Sequence, residues 1–257
     1  MHLIVDGDIY VYRAAVGCER SHDWGDDMYS LVADARQGWQ QLESDLEELR
    51  DTFPGEATDM TLCLTGTRNW RKEENPNYKL NRKGKRKPLA MNALLERLRE
   101  SYTCSLTEGL EADDLMGLMS NGRDTCIVSI DKDMRGVPGL LFNPDKMTEV
   151  QTVTVDDADH WHMLQTLMGD VTDGYPGCPG VGPVGAAKLL DPLKGDAGAM
   201  WAAAMGAFNK EYSKAKWKGD VDAEEQAILN ARMARICRHG DWDWKKGEMV
   251  WSPPRLR

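Results

Sequence analysis

The chain has 257 residues, 41% of them hydrophobic and 29% charged, with a formal net charge of −10. That length suits one large α/β domain, or a core with a smaller appended module, and it is ample to bury a core. The acidic balance argues against a general polyanion binder, and no apolar run approaches the roughly 20 residues needed to span a bilayer. Asp6 interrupts the apolar start Leu3-Ile4-Val5, so no signal peptide is predicted and the chain reads as soluble and cytoplasmic. Cys18, Cys63, Cys104, Cys126, Cys178 and Cys237 are scattered without a CxxC pair. This predicts buried thiols, not disulfides or a zinc site.

Residues 2–8 predict a buried strand ending in Asp6, and 10–16 the start of a helix. Residues 19–30 are polar and irregular. Leu31, Ala35, Leu42, Leu46 and Leu49 sit near helical spacing and predict a helix from Leu31 to Arg50, ended by Thr52-Phe53-Pro54-Gly55. Residues 59–65 are strand-like. From Arg68 to Lys87 nine bases stand against Glu73 and Glu74, a local charge of +7 in an acidic chain. Such a run is either a solvated loop or a nucleic-acid contact, and Trp70 and Tyr78 within it favour the second because they can stack on bases. Pro88 suits the first turn of a helix from Leu89 to Ser101.

The central stretch runs from Glu108 to Asp133. Glu111, Asp113 and Asp114 open an apolar helical run (Leu115, Met116, Leu118, Met119), and a short strand from Cys126 to Ile130 ends in Asp131 and Asp133. One or two of these acids can serve as helix caps, since negative charge suits a helix N-terminus. Two unit charges about 4 Å apart at an effective dielectric near 20 repel by roughly 4 kcal/mol, so a full cluster needs water or a cation. Oxygen-rich clusters suit Mg²⁺ or Mn²⁺. Gly139–Phe142 predicts another strand, and the Thr/Val alternation of 148–155 a hairpin or edge strand. Strands separated by helices predict a mostly parallel sheet, whose ligands gather at the strand carboxyl ends, where Asp6, Asp131 and Asp133 would meet.

Residues 157–168 predict a helix on which His160 and His162 face different ways, as surface or packing residues and not metal ligands. Residues 174–190 (GYPGCPGVGPVGAAKLL) read as a tight hairpin between two helices, able to bring backbone N–H groups close to a phosphate. Phe208 to Lys218 is a polar, basic loop or linker, Val221 to Arg238 an amphipathic helix, and Trp242, Trp244 and Trp251 are expected to pack the C-terminal tail onto the body.

Five stretches in this order, IVDGD (4–8), NWRKEENPNYKLNRKGKRKP (69–88), EGLEADDLMG (108–117), VSIDKD (128–133) and GDVTDGYPGCPGVGPVGAAKLL (169–190), resemble the flap endonuclease superfamily of 5′-nucleases. The nearest resemblance is to the 5′→3′ exonucleases of tailed bacteriophages. It implies a PIN-like, mostly parallel central sheet flanked by helices, with a helix-hairpin-helix (helix-three-turn-helix) module. Residues 1–160 would form the catalytic core, with a basic arch or gateway at about 68–101, and 161–257 the DNA-binding and C-terminal region packed against it.

By motif match, Asp6, Glu111, Asp113, Asp114, Asp131 and Asp133 would bind a first divalent ion, Mg²⁺ or Mn²⁺, and Asp170 and Asp173 would help hold a second. Tyr78, Lys79 and Arg82 match the YKxxR motif that steers the scissile phosphate. The resemblance implies DNA contacts from Arg71, Lys72, Lys83, Lys85, Arg86 and Lys87. It implies more from the hairpin at Gly177, Gly180, Val181, Gly182, Gly185 and Lys188, where K⁺ would bridge to a phosphate. The implied activity is two-metal hydrolysis at the 5′ end of duplex or flapped DNA by a monomer, extending to RNA–DNA hybrids. Two departures stand out: Gly66 occupies the place of an acid after the second strand, and Val184 that of a base in the hairpin. Asp8 has no counterpart and is assigned a water-mediated or structural role. The competing functions are a PIN-type ribonuclease, which would lack the glycine hairpin and the basic arch, and a DNA-structure binder that has lost catalysis.

Overall fold

The computed structural model describes residues 1–214 and 222–254. In chain order its elements are β1 (His2–Asp6), α1 (Gly7–Gly17), β2 (Glu19–Asp23), β3 (Tyr29–Ala33), α2 (Ala35–Thr52), β4 (Asp59–Asn69), α3 (Trp70–Glu74), α4 (Met91–Ser101), β5 (Cys104–Gly109) and α5 (Ala112–Met119). There follow β6 (Thr125–Val128), β7 (Gly139–Phe142), β8 (Gln151–Val153), α6 (Val155–Met168), α7 (Pro183–Leu190), α8 (Ala197–Tyr212), α9 (Ala223–Ala234), β9 (Trp242–Asp243) and β10 (Glu248–Met249).

Six strands form one sheet in the order β5-β4-β1-β6-β7-β8, parallel except for β8, which runs antiparallel on the edge. β1 lies inside it, and Leu3, Ile4 and Val5 are wholly buried. Each contributes about 1.5–3 kcal/mol relative to exposure. The two faces of the sheet bury separate apolar clusters. One gathers Trp39, Leu42, Leu46, Leu94 and Leu98 from α2 and α4; the other takes Leu115 and Met116 from α5 together with Ile236 and Cys237. A third cluster, built on Leu167, Leu190, Met200 and Phe208, joins α6, α7, α8 and α9.

Several elements differ from the sequence expectation. The segment read as irregular at 19–30 is the antiparallel hairpin β2–β3, in register from Glu19 opposite Ala33 to Asp23 opposite Tyr29. Leu31 belongs to that hairpin, and α2 starts only at Ala35, where Asp34 accepts from the Arg36 and Gln37 N–H groups as its cap. Strand β5 escaped notice because its side chains are only half-buried and no alternation marks it. Pro88 precedes α4 by a turn and does not open it. Of the expected loop Phe208–Lys218, Phe208–Tyr212 closes α8 and residues 215–218 lie outside the described residues, as does residue 221. Trp242 is buried, but Trp244 is 63% exposed and packs nothing down. The cysteines are free, five of them buried. Among the described residues no helix is long and apolar enough to cross a membrane.

The two halves of the chain are pressed together at Gly117 in α5, where an added Cβ would lie 2.2 Å from the Cys237 carbonyl oxygen. Overpacking of this kind costs about 1–3 kcal/mol or more, against the roughly 1 kcal/mol of helix propensity that alanine returns. Gly117→Ala should therefore lower the melting temperature by several degrees in a thermal melt; an unchanged or raised value would show that the contact has slack.

Candidate active site

The carboxyl ends of β1, β4 and β6 and the N-terminus of α5 open onto one cleft of about 710 Å³. Asp6 ends β1 and caps α1 through Ile9 N–H (3.2 Å). Asp113 projects from the first turn of α5. Asp131 and Asp133 follow β6 at a 3₁₀ turn, with Asp133 N–H donating to Asp131 (2.8 Å). Asp170 and Asp173 arrive from the turn after α6, where Asp170 accepts from the Thr172 and Asp173 N–H groups. All six line the cleft, together with Glu111. The parallel sheet thus converges acids from four separated stretches, as the sequence pattern anticipated.

Burial, then the charge of Asp8, pushes the Asp6 carboxyl up to about 7. Burial and the charge of Asp131 do the same to Asp133, also to about 7. Burial, with Asp6 and Asp131 close by, lifts Asp113 well above the carboxylate range. Glu111 behaves differently. Burial works to raise it, but Lys79 and Arg71 outweigh that and hold it below its usual range. Its Oε1 accepts from Lys79 Nζ (2.7 Å), and its Oε2 from the Tyr78 hydroxyl (2.8 Å) and Arg71 Nη1 (3.1 Å).

Two expected roles are corrected by burial. Asp114 does not reach the cleft: it is wholly buried, and its oxygens accept from Arg71 (2.7 and 2.8 Å), Trp70 Nε1 (3.2 Å) and Cys237 N–H (3.0 Å). Arg71 is 3% exposed and also donates to the Met233 and Arg235 carbonyls, so it is an interior staple and not a DNA contact on the surface. The sequence could not separate Asp113 from Asp114, because both lie in one helical turn.

The basic segment is not a helical arch. Between α3 and α4 it holds a single 3₁₀ turn, Leu80–Arg82, and lies as a strap across the cleft. Lys79 sits at φ 51°, a left-handed conformation that costs an ordinary residue of order 1–3 kcal/mol. It directs its ammonium between Glu111 and Asp173 (3.8 Å). Arg82 pairs with Asp173 (3.1 Å) and Asn81 with the Thr172 carbonyl (3.0 Å). Gly174 lets strap and turn meet: a Cβ there would lie 2.3 Å from the Asn77 carbonyl oxygen. Arg86 is engaged by Glu19 of β2 (2.8 Å), which leaves Lys83, Lys85 and Lys87 as the exposed cations nearby; Lys87 also lines the cleft, as does the exposed Lys72.

In the hairpin, Gly180, Gly182, Gly185 and Lys188 are exposed and Val181 half-exposed, with Pro183 at the first turn of α7. Gly177 is buried and donates to Asn230 (2.7 Å), so it closes the fold instead of facing a ligand. His162 is buried against the Ala231 carbonyl (2.8 Å) and His160 lies beside Asp191 (2.9 Å), both away from the acids.

Two residues outside the expected ligand set also reach the cleft. Asp8, from the first turn of α1, lines the same cleft and accepts from Thr65 N–H (3.0 Å), one residue before Gly66. Its only sequence signal was the Asp-x-Asp spacing with Asp6. Lys132, between two acids, reaches Asp170 (3.5 Å). A Cβ at Gly66 would lie 2.8 Å from the Thr107 carbonyl oxygen, so an acid there would require β4 and β5 to part.

No family model matches the chain. Its sequence is 31% identical to the exodeoxyribonuclease of Enterobacteria phage T3 over 98% of this chain and 92% of that protein. It is 30% identical to the exonuclease of Escherichia phage T7 over 98% and 93%. Among solved structures, the zinc-bound T5 5′-exonuclease shares the fold with a TM-score of 0.56 at 15% identity, covering 91% of this chain and all of that one.

The raised carboxyls imply a pH signature. Folded Asp6 and Asp133, near 7, hold protons that the unfolded chain releases near 3.8. Their stabilising contribution is complete below the lower value and lost as pH rises through the upper one. A divalent cation offsets that loss, so the gain in melting temperature from Mg²⁺ over EDTA should be small near about pH 5 and large near about pH 8. Thermal melts across that range test it; a gain independent of pH would separate these acids from the cation.

Proposed function

The chain belongs to the family of phage exonucleases that includes the T3 and T7 enzymes and is a nuclease, and we propose that it hydrolyses phosphodiester bonds at or near the 5′ ends of duplex or branched DNA, using two divalent cations. The observation that carries this reading is a wall of carboxylates, Asp6, Asp113, Asp131 and Asp133, sharing one cleft with Lys79, Arg82 and Lys132.

The donor set fits Mg²⁺ or Mn²⁺. It is all oxygen, as hard cations prefer, and Asp6, Asp113 and Asp133 are shifted upward by burial first and by neighbouring acids second, as carboxyls of a site that awaits a cation would be. Among the described residues no three such side chains close on one point as a finished cage. An open wall is compatible with Mg²⁺, which keeps several of its waters. Asp6, Asp113, Asp131 and Asp133 with Glu111 would hold one ion, and Asp170 and Asp173 the other, with Asp8 beside Asp6. Such ions supply a nucleophilic water of lowered pKa and neutralise charge on the departing oxygen.

The chain's own groups handle the phosphate. Lys79 and Arg82, held on Glu111 and Asp173, stand where a phosphate can compete for them. The Tyr78 hydroxyl keeps Glu111 in place when Lys79 turns away. Lys72, Lys83, Lys85 and Lys87 line the approach of a single-stranded 5′ end. The exposed backbone of Gly180–Gly185 and the free N–H groups opening α7 would meet the duplex, with K⁺ between them and a phosphate. The chain acts as a monomer, and RNA in a hybrid is a further substrate of the same chemistry.

Duplexes labelled at the 5′ or the 3′ end should lose 5′ nucleotides first, with cleavage abolished by EDTA; 3′-first release or metal-independent cleavage would overturn the assignment. Asp131→Asn should lower turnover about 100-fold or more, since several kcal/mol of transition-state stabilisation depend on bound metal, while DNA binding persists. In a salt titration, Lys83, Lys85 and Lys87 changed together to alanine should flatten the slope of log affinity against log salt by about 0.9 for each phosphate these lysines neutralise. An unaltered slope would leave the strap as a solvated loop.

A further inference from the structure

Helix α6 carries a buried amide whose purpose is not packing. Gln165 is 4% exposed, and its Nε2 donates to Asp133 Oδ1 at 2.6 Å, while its Oε1 is buried with no hydrogen-bond partner. A core position that only needed filling would be served by leucine or methionine, which leave no carbonyl stranded. Buried polar atoms without partners are uncommon and call for a specific reason. With Asp133 ionised, the form that binds a cation, the reverse orientation of the amide would set two acceptors 2.6 Å apart, so in that form the donor must face the carboxylate. Among the described residues Gln165 is the only side chain that donates a hydrogen bond to the Asp133 carboxylate.

We propose that Gln165 is a positioning residue for Asp133: its amide holds Oδ1, leaves Oδ2 for the cation, and ties that ligand to the helix whose following turn bears Asp170 and Asp173. The link explains how acids from two distant stretches keep a constant spacing. Asp133 follows β6, whereas Asp170 and Asp173 follow α6, and α6 packs along the 3₁₀ turn that carries Asp133. Arg135 from that turn stacks 4.5 Å over the Trp161 ring of α6, one helical turn before Gln165. Without the amide, Asp133 would be free to rotate about its side-chain bonds, and the two halves of the acidic wall would be joined only by packing and by the exposed Lys132–Asp170 pair (3.5 Å).

This inference rests on the nuclease reading above, and the full-length chain tests it. Mn²⁺ binding is followed by isothermal titration, cleavage of a 5′-labelled duplex by steady-state kinetics, and DNA binding by fluorescence anisotropy in EDTA. Gln165→Leu should weaken Mn²⁺ binding at one site about 10–100-fold, the usual effect of losing a partner that orients a metal ligand. It should lower kcat with little change in KM or in metal-free DNA binding. Gln165→Met keeps the length but removes the donor, and should not restore Mn²⁺ affinity. A folded Leu or Met variant that binds Mn²⁺ within about twofold of the wild type would overturn the proposal. Should neither variant fold, nuclear magnetic resonance of the wild type decides: the Gln165 side-chain amide should show one proton protected from exchange, and its signal should move on adding Mg²⁺. A freely exchanging, unmoved amide would end the idea. A wild type that neither binds Mn²⁺ nor cuts DNA would instead remove the nuclease reading itself.

Discussion

The burial of like charges in one cleft is the constraint around which this molecule is built. Setting β1 beside β6 in a parallel sheet brings Asp6 next to the Asp131–Asp133 turn, and α5 adds Asp113 from above. At an effective dielectric near 20, each close pair opposes folding by a few kcal/mol. The chain answers in two ways. Part of the acid is neutralised internally, by Arg71 on Asp114 and by Lys79 on Glu111. The remainder, Asp6, Asp113 and Asp133, is left buried, and burial first and neighbouring acids second raise its proton affinity.

The internal half of that answer also holds the chain's two ends together. Arg71 begins just after β4, yet it spans to α5 through Asp114 and to the C-terminal end of α9 and the residue after it through the Met233 and Arg235 carbonyls. Asp114 in turn accepts from Cys237 N–H. Breaking a buried pair by removing one partner costs about 3–5 kcal/mol, because it strands the other charge. The close approach of Gly117 to Cys237 belongs to the same seam. The C-terminal region is therefore joined to the wall of the cleft by charge as well as by apolar packing, through Arg71 and also through Arg232 on Glu74 and Arg238 on Asp159.

The strap shows how a local charge count misleads. Nine bases in twenty positions suggested a surface devoted to nucleic acid, yet the structure divides them by burial. Arg71 is interior, Arg86 is bound to Glu19 of the β2–β3 hairpin, and Lys79 and Arg82 answer to Glu111 and Asp173. Only Lys72, Lys83, Lys85 and Lys87 remain open to solvent without an ion pair among the described residues. The hairpin that captures Arg86 was itself hidden, because its strands are two-sided and mostly exposed, so no alternation of apolar and polar residues marks them.

Continuous apolar runs were enough to place β1, β4 and β6, interior strands buried on both faces, and helical apolar spacing to place α2 and α5, which each bury one side. The order of acids along the chain likewise announced that a parallel sheet would collect them at its carboxyl ends. Which acid faces the cleft was decided only by tertiary structure. Asp113 and Asp114 are adjacent in one helical turn, and what separates them is the arrival at Asp114 of Arg71, from 43 positions before it, and of Cys237, from 123 positions after it. Asp8 enters the cleft because β4 offers it the Thr65 N–H, and Gln165 reaches Asp133 because α6 lies along the turn that bears it. These are contacts between distant segments, and a side chain's partner across the fold leaves no trace in its neighbours along the chain.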